Sequence, residues 1–309
     1  MKKVLFLICL LALLPGTGCE KVIEFKGETT QPRLTLAAQA SVGEPLVAYV
    51  ASSIFFLDHD GGGRAFKDPL DTVRGQVRCY VNGSRTGEAM RLSDGYEASS
   101  LCYVSDYVPA PGDHIRLEAE FPDFDPVWAE TSVPRLPEFD LISVERRQDA
   151  VDLTLAVTDD GSYDKYYFLQ PFAGYGLSWE GSQDTVMRSL DFTSSDIIFR
   201  NVGGSALQAF RTDPENAVAS NFFSDALIKG ERYVFKITVP LVQRPDEIIK
   251  FALKLAAVDE NLYWYDYAYT QLRQSFGGLF SEAVTLYSNV HGGYGILCSV
   301  APSWLDVEW

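Results

Sequence analysis

The sequence predicts an all-β protein, mainly β with one helix, in which an N-terminal immunoglobulin-like β-sandwich is followed by a larger β-rich domain. Three observations support this class. Aromatic residues make up 13% of the 309 residues, which favours strands. Short alternating apolar runs are separated by turn residues along most of the chain. One stretch, near residues 260–276, carries apolar side chains at helical spacing.

Residues 1–18 are expected to be a signal peptide and not part of the fold. Two lysines precede an apolar run at residues 4–14, which is shorter than the roughly 20 residues of a membrane-spanning helix. Small residues then lead to Cys19, and the segment PGTGC resembles the cleavage box of bacterial lipoproteins, with Gly16 where leucine is usual. We therefore expect Cys19 to carry a lipid. Ordinary secretion, with Cys19 as a plain thiol, is the alternative.

The charge balance excludes nucleic-acid binding. The chain has 26 basic and 42 acidic residues, and removing Lys2 and Lys3 with the signal peptide leaves 24 against 42, a net charge of −18. A surface this acidic repels phosphate backbones. The membrane is therefore expected to be contacted through the N-terminal lipid, because two or three acyl chains give stable anchoring and no later stretch reaches the length of a spanning helix.

The number and length of the strands predicted in the N-terminal half are typical of a β-sandwich. A lipidated tether at residues 19–31 is followed by about seven short strands in roughly one hundred residues, as in immunoglobulin-like domains. Within them, Asn82-Gly83 is a strong signal for a type I′ hairpin turn. The proline pair of PRLP, at residues 134–137, then indicates a stiff linker. We predict an immunoglobulin-like β-sandwich over residues 32–134.

A second domain is predicted over residues 138–309. Its strand candidates lie at residues 139–147, 151–158, 166–171, 232–240, 248–258, 282–287 and 295–301, and residues 174–221 are expected to be irregular. The single helix follows Asp259, a suitable N-cap, and is expected to end at Gly277-Gly278. Its buried face is predicted to consist of Leu262, Tyr265, Tyr269, Leu272 and Phe276.

Three segments, in this order, resemble a known family. They are CEKVIEF after the cleavage box, the run from QVRCYVNG to WAETSVPRLP, and VDENLYWYDYAYTQLRQSFGGLFSEAVTLYSNVHGGYGIL near the C-terminus. Together they resemble the Bacteroidota envelope lipoproteins grouped as domain of unknown function 4249. The resemblance implies a lipid-anchored outer-membrane protein, often found near TonB-dependent outer-membrane transporters. It brings no catalytic residues.

The sequence does not indicate a catalytic, cofactor or metal site. Asp58-His59-Asp60 begins a stretch typical of a calcium loop, but Pro69 stands where an EF-hand needs its bidentate glutamate, so we interpret the stretch as a polar loop. No G-x-S-x-G motif occurs, and the three histidines have no ligand spacing. We expect no catalytic residues, no cofactor and no metal.

Two further features are candidates for structure or binding. Cys79 and Cys102 lie on predicted neighbouring strands of an extracytoplasmic protein, so they either form a disulfide or remain buried thiols. Tyr263, Trp264 and Tyr267 lie off the predicted buried face of the helix. They either form a partner or ligand surface or are covered by the rest of the fold.

The function expected from these observations is non-enzymatic binding. We expect a lipid-anchored outer-membrane lipoprotein that takes a glycan or peptide ligand, or acts as an accessory to a TonB-dependent transporter. Exposure on the cell surface is suggested by Glu20 and Glu24 behind Cys19, and a periplasmic orientation is the alternative. A glycan-acting hydrolase and a structural adhesin or filament component are the alternative functions.

Overall fold

The computed structural model describes residues 31–53, 75–87, 89–93, 101–179, 182–200, 220–241, 248–275 and 286–308. The signal peptide, Cys19 and the Asp58-His59-Asp60 loop lie outside these ranges. In the described part, none of the helices has the length and apolar character needed to cross a membrane. The architecture is a set of sheets with one α-helix, so the all-β class is confirmed. The finer immunoglobulin-like assignment stays a prediction.

The strands are numbered in chain order. The first eight are β1 (Leu34–Ser41), β2 (Val47–Ser52), β3 (Gln76–Val81), β4 (Ser84–Arg85), β5 (Arg91–Leu92), β6 (Leu101–Val104), β7 (His114–Glu120) and β8 (Val127–Ser132). The others are β9 (Glu138–Arg146), β10 (Ala150–Thr158), β11 (Tyr166–Trp179), β12 (Ser182–Ser189), β13 (Phe222–Ser224), β14 (Arg232–Pro240), β15 (Ile248–Val258) and β16 (Tyr294–Val307). The helix α1 (Glu260–Ser275) lies between β15 and β16.

These strands form one long sheet and two shorter ones. The long sheet has the order β12-β11-β15-β16-β1-β2-β6-β5, and β13 also pairs with β11. The N-terminal sheet has the order β4-β3-β7-β8, and the C-terminal sheet the order β14-β10-β9. The long sheet therefore contains strands from both halves of the chain.

Two hydrophobic cores lie side by side on one face of the long sheet. On β16, Leu297 belongs to the first core, and Ala301 and Val307 belong to the second. Even numbers of positions separate these residues, so they point to the same face. The N-terminal sheet covers the first core with residues such as Val77 and Ile115. The C-terminal sheet covers the second core in the same way, which gives two sandwiches that share one sheet.

The predicted domain boundary at residues 134–138 stays a prediction, and the long sheet has strands from both sides of it. Each core is drawn mainly from one half of the chain, but residues Pro32–Trp309 form one compact unit. The reason is the pairing of β1, which runs parallel to β16 and antiparallel to β2. The last strand of the chain thus lies beside the first.

A local turn signal correctly predicted the hairpin of β3 and β4, whereas the hairpin of β11 and β12 was not predicted. Asn82 and Gly83 have φ values of 51° and 79°, the left-handed pair that a type I′ turn requires. By contrast, β11 and β12 form a long hairpin over residues that were predicted to be irregular. The prediction was wrong there because Gly174 and Gly176 resemble chain breakers, whereas in the structure both lie inside β11.

The packed face of the helix agrees with the prediction at Leu262 and differs from it at Tyr263 and Tyr269. Tyr263 is 3% exposed, whereas Tyr269, which was predicted to be buried, is 44% exposed. Leu262 contacts Val258 and Val300 on the face of the long sheet opposite the two cores. Phe276 and the glycine pair beyond it lie outside the described residues. The helix therefore buries an aromatic side chain that the apolar periodicity had placed elsewhere.

Candidate functional site

A cleft of about 470 Å³ lies where the two halves of the chain meet. We call it the junction cleft. The end of β8 and the segment after it form one wall, the loop before β11 forms another, and the first turn of α1 closes the cleft. Its lining includes His114, Glu130, Thr131, Arg135, Tyr163, Asp164, Tyr166, Asp259, Glu260 and Asn261.

A row of aromatic rings runs from this cleft along α1. Ring centroids are 4.5 Å apart between Tyr166 and Tyr263, 5.3 Å between Tyr263 and Trp264, and 5.9 Å between Trp264 and Tyr267. We call these four residues the aromatic row. Trp264 and Tyr267 are half-buried, so they retain accessible ring surface. Tyr263 is buried and acts as packing, which removes it from the predicted partner surface and leaves the other two residues in it.

Asp259 fixes the start of the helix below the cleft. Its Oδ1 accepts a hydrogen bond from the Leu262 backbone N–H at 3.0 Å, the N-cap interaction that the sequence predicted. Its Oδ2 accepts a hydrogen bond from Asn261 Nδ2 at 2.7 Å and lies 2.6 Å from Thr131 Oγ1. The carboxyl group therefore connects α1 directly to β8.

A chain of hydroxyl groups continues from this carboxyl group into the long sheet. Thr131 Oγ1 lies 2.9 Å from Ser299 Oγ, which in turn lies 2.9 Å from the Ser132 carbonyl oxygen. Each hydroxyl group has one hydrogen to donate. Ser299 donates to the Ser132 carbonyl group, and the single hydroxyl hydrogen of Thr131 has Asp259 Oδ2 and Ser299 Oγ as alternative acceptors.

Burial and hydrogen bonding act in opposite directions on the pKa of the Asp259 carboxyl group. Burial raises the pKa of Asp259, and its hydrogen bonds to Thr131, Leu262 and Asn261 oppose this rise. The group is 9% exposed in the folded chain. The floor of the cleft is thus a buried hydrogen-bonded network that joins the two halves.

Two asparagines reinforce this junction, and the sequence analysis did not single them out. Asn289 Nδ2 donates to the carbonyl oxygens of Glu130 and Leu297 at 3.0 and 2.8 Å, and Asn261 Oδ1 accepts from Tyr287 OH at 2.7 Å. Thr131 was also missed. It occupies an inward-facing position in the alternation Val127, Ala129, Thr131, where a polar side chain is a signal of buried hydrogen bonding.

The walls of the cleft combine charged and aromatic groups. Tyr163 is 40% exposed and is the more accessible of the two tyrosines in the lining. Glu130 accepts a hydrogen bond from Arg116 at 2.9 Å, and Asp164 is paired with Lys229. Both pairings hold a carboxylate at the rim while its cation lies outside the lining. The open cleft can therefore offer ring stacking together with hydrogen-bond acceptors.

Of the two alternatives for Cys79 and Cys102, a disulfide or buried thiols, the structure has the thiols. Cys79, Cys102 and Cys298 are all free, buried thiols. Cys79 lies on β3 of the N-terminal sheet and Cys102 on β6 of the long sheet, whereas the sequence analysis had placed them on neighbouring strands. Burial raises the pKa of Cys79 and Cys102 and raises that of Cys298 to about 12, so these thiols are poor nucleophiles.

Histidine, cysteine and carboxylate side chains do not gather into a metal site within the described ranges. His291 instead stacks on Trp128 with a centroid distance of 3.8 Å, and the Arg116 guanidinium lies 4.0 Å from the same indole ring. His114 lies 3.8 Å from Glu130 at the rim of the cleft. His114 and His291, the two described histidines, thus contact different partners.

Comparison with known proteins gives one family match. A family model described as "Domain of unknown function (DUF4249)" matches residues 20–303. None of the curated proteins matches the chain. The matched range includes the first core, the junction cleft, the aromatic row and the buried residues of the second core other than Val307.

Proposed function

Because the chain belongs to the family of domain of unknown function 4249, we propose that it is a lipid-anchored outer-membrane lipoprotein that binds a ligand or partner and assists a TonB-dependent outer-membrane transporter. The lipid is assigned to Cys19 on the sequence of the cleavage box. The observation that carries the binding role is the junction cleft. It is lined by the accessible Tyr163 and by Tyr166, the first ring of the aromatic row.

The cleft suits binding because its floor is preorganised. The network around Asp259 holds β8, β16 and the first turn of α1 in fixed positions, so ligand binding need not order them. Aromatic rings with polar tips then supply contact area at a low cost in conformational entropy. A glycan or a peptide presents the groups that such a surface recognises.

A glycan-acting hydrolase is the second candidate, and one observation favours it. Asp259 is a desolvated carboxyl group that lines an open cleft, as a general acid does. Against this role, both of its oxygens are already engaged by Thr131, Asn261 and Leu262. Asp259→Asn keeps donors and acceptors in place, so we expect ligand binding to persist in this variant. If the parent chain cleaved a glycan and Asp259→Asn bound that glycan without cleaving it, the result would favour the enzyme.

Two experiments test the proposal. Cys19→Ala should give an unacylated protein that leaves the membrane fraction in a high-salt wash, because the lipid is its only proposed anchor. In native membranes, a photoreactive residue at position 163 should crosslink to a TonB-dependent barrel identified by mass spectrometry. The matched control is position 269, a tyrosine of similar exposure outside the cleft lining. Equal crosslinking from both positions, or a Cys19→Ala protein that stays membrane-bound, would contradict the proposal.

A further inference from the structure

The long sheet has a second accessible surface on the face opposite its two cores. Next to β16, α1 covers that face at Ala256, Val258 and Val300. Further along the same strands the face is open, and Trp304 is 55% exposed there. We call this open part the Trp304 platform and define it by Trp304 and Asp306 of β16, Lys250, Ala252 and Lys254 of β15, Phe172 and Gly174 of β11, and Met187 of β12.

The register of the strands brings these residues onto one surface. Trp304 pairs with Lys254, Asp306 with Ala252, and Gly174 with both Lys250 and Met187. Trp304 and Phe172 have ring centroids 5.2 Å apart. Ala252 is 2% exposed, so it forms a floor below the larger side chains.

Gly174 lies at the far side of the platform, under the side chains of its neighbours. A Cβ atom at this position would lie 2.9 Å from Met187 Sδ and 3.1 Å from Lys250 Cβ. The neighbouring side chains therefore occupy the space above the glycine. The result is a shallow surface with one prominent indole ring, an aromatic neighbour and polar groups around it.

The charge of the platform is opposite to that of the chain. Lys250 pairs with Asp306 at 3.0 Å, which compensates one lysine. Lys254 Nζ lies 5.6 Å from the centroid of the Trp304 ring. Among the described residues, the Lys254 ammonium has no carboxylate within ion-pair distance, although the chain has 42 acidic residues against 26 basic ones. Two lysines and one aspartate give the platform a net charge of one positive unit.

The size of the apolar surface favours a sugar over a protein. A fully buried tryptophan covers up to about 250 Å², so the 55% exposed Trp304 offers roughly 140 Å², and Phe172 and Met187 bring the total to about 200–300 Å². A stable protein interface buries about 800 Å² on each partner. A sugar ring stacked on the indole would use the apolar area, and a carboxylate on that ring would reach Lys254.

We propose that the Trp304 platform binds an acidic sugar unit of a glycan, with the ring stacked on Trp304 and its carboxylate paired with Lys254. This site is separate from the junction cleft and does not depend on the function proposed for it. The occupant would be a uronate-type residue, because Lys254 lies over the Trp304 ring and has no carboxylate partner in the described part of the chain.

Titration calorimetry of the full chain in detergent tests this proposal, with short oligomers of galacturonate, alginate and hyaluronate as probes. Fully methyl-esterified oligogalacturonate serves as the neutral counterpart. We expect Trp304→Ala to weaken binding of an acidic oligomer by about tenfold or more. Lys254→Gln should weaken binding of the acidic form but leave binding of the methyl ester unchanged. Tyr294→Ala is the matched control, because it removes an exposed ring beside a cation, Arg33, at the other end of β16.

Several outcomes would overturn the proposal. They are failure of the parent chain to bind any of the three acidic oligomers, equal affinities of the parent chain and Trp304→Ala, and equal loss of affinity with Tyr294→Ala. A dimer of the parent chain that Trp304→Ala dissociates would assign the platform to a second copy of the chain and not to a glycan. Circular dichroism and thermal unfolding of each variant confirm that the fold is retained.

Discussion

The contribution of β16 to the first core can be tested with Leu297→Ala. Leu297 is fully buried, and it comes from the C-terminal part of a core whose other buried members, except Val290, lie in residues 34–133. The substitution removes three buried carbon atoms, which at about 0.8 kcal/mol each gives roughly 2.4 kcal/mol for the lost transfer free energy. The cavity left behind raises the expected loss of unfolding free energy to about 3–4 kcal/mol.

Leu136→Ala is the matched control for this prediction. It makes the same chemical change at a residue that is 49% exposed, so we expect it to cost less than about 1 kcal/mol. Urea unfolding followed by circular dichroism measures both values. Equal losses for the two variants would refute the reasoning, because Leu297 would then contribute no more packing than a half-exposed leucine, and β16 would not complete the N-terminal core.

Three further predictions concern the domain boundary, the helix and a buried carboxyl group. A fragment of residues 32–136 lacks β16, so it should show no cooperative thermal transition; a sharp transition would support the two-domain interpretation. Tyr263→Ala should lower the unfolding free energy by about 3–5 kcal/mol, and Trp264→Ala by clearly less, since only Tyr263 is fully buried; the opposite order in urea unfolding would contradict this packing. Among the described residues, Asp225 Oδ2 is buried without a hydrogen-bond partner, and burial raises the pKa of Asp225. The folded chain therefore favours the neutral carboxyl group, which loses its proton as the pH rises through the raised pKa. Asp225→Asn should therefore gain stability relative to the parent chain as the pH rises above about 4, the ordinary pKa of aspartate, until the raised pKa is passed; a difference independent of pH would exclude this explanation.

Elements with strong local signals were predictable from the sequence. Bounds for β14 and β15 were predicted at residues 232–240 and 248–258, as the structure has them. Both strands follow turn-forming residues in the sequence and are rich in apolar side chains, several of them β-branched or aromatic. The Asn82-Gly83 turn and the Asp259 cap were also found, because each depends on side chains within a few residues of the backbone that they fix.

Long-range pairing was not predictable from local patterns. Parallel pairing of β1 with β16 joins residues some 260 positions apart, and neither strand carries a signal that specifies the other. The same limit affected the candidate site, since the Thr131, Asp259 and Ser299 network exists only once β8 and β16 are neighbours. Tyr263 was misplaced because α1 has aromatic residues on several faces, so its apolar periodicity did not define the face that meets the sheet.

The position of β1 determines how the protein would respond to mechanical force. It is the first strand of the described residues, and hydrogen bonds hold it along both edges, to β2 and to β16. A pull along its axis loads these bonds in shear, so they must fail together, whereas an edge strand can be peeled away one bond at a time. If the chain is tethered through its N-terminus, tension would therefore act on β1 inside the longest sheet. Pulling β1 out of the sheet would require the hydrogen bonds on both of its edges to break together.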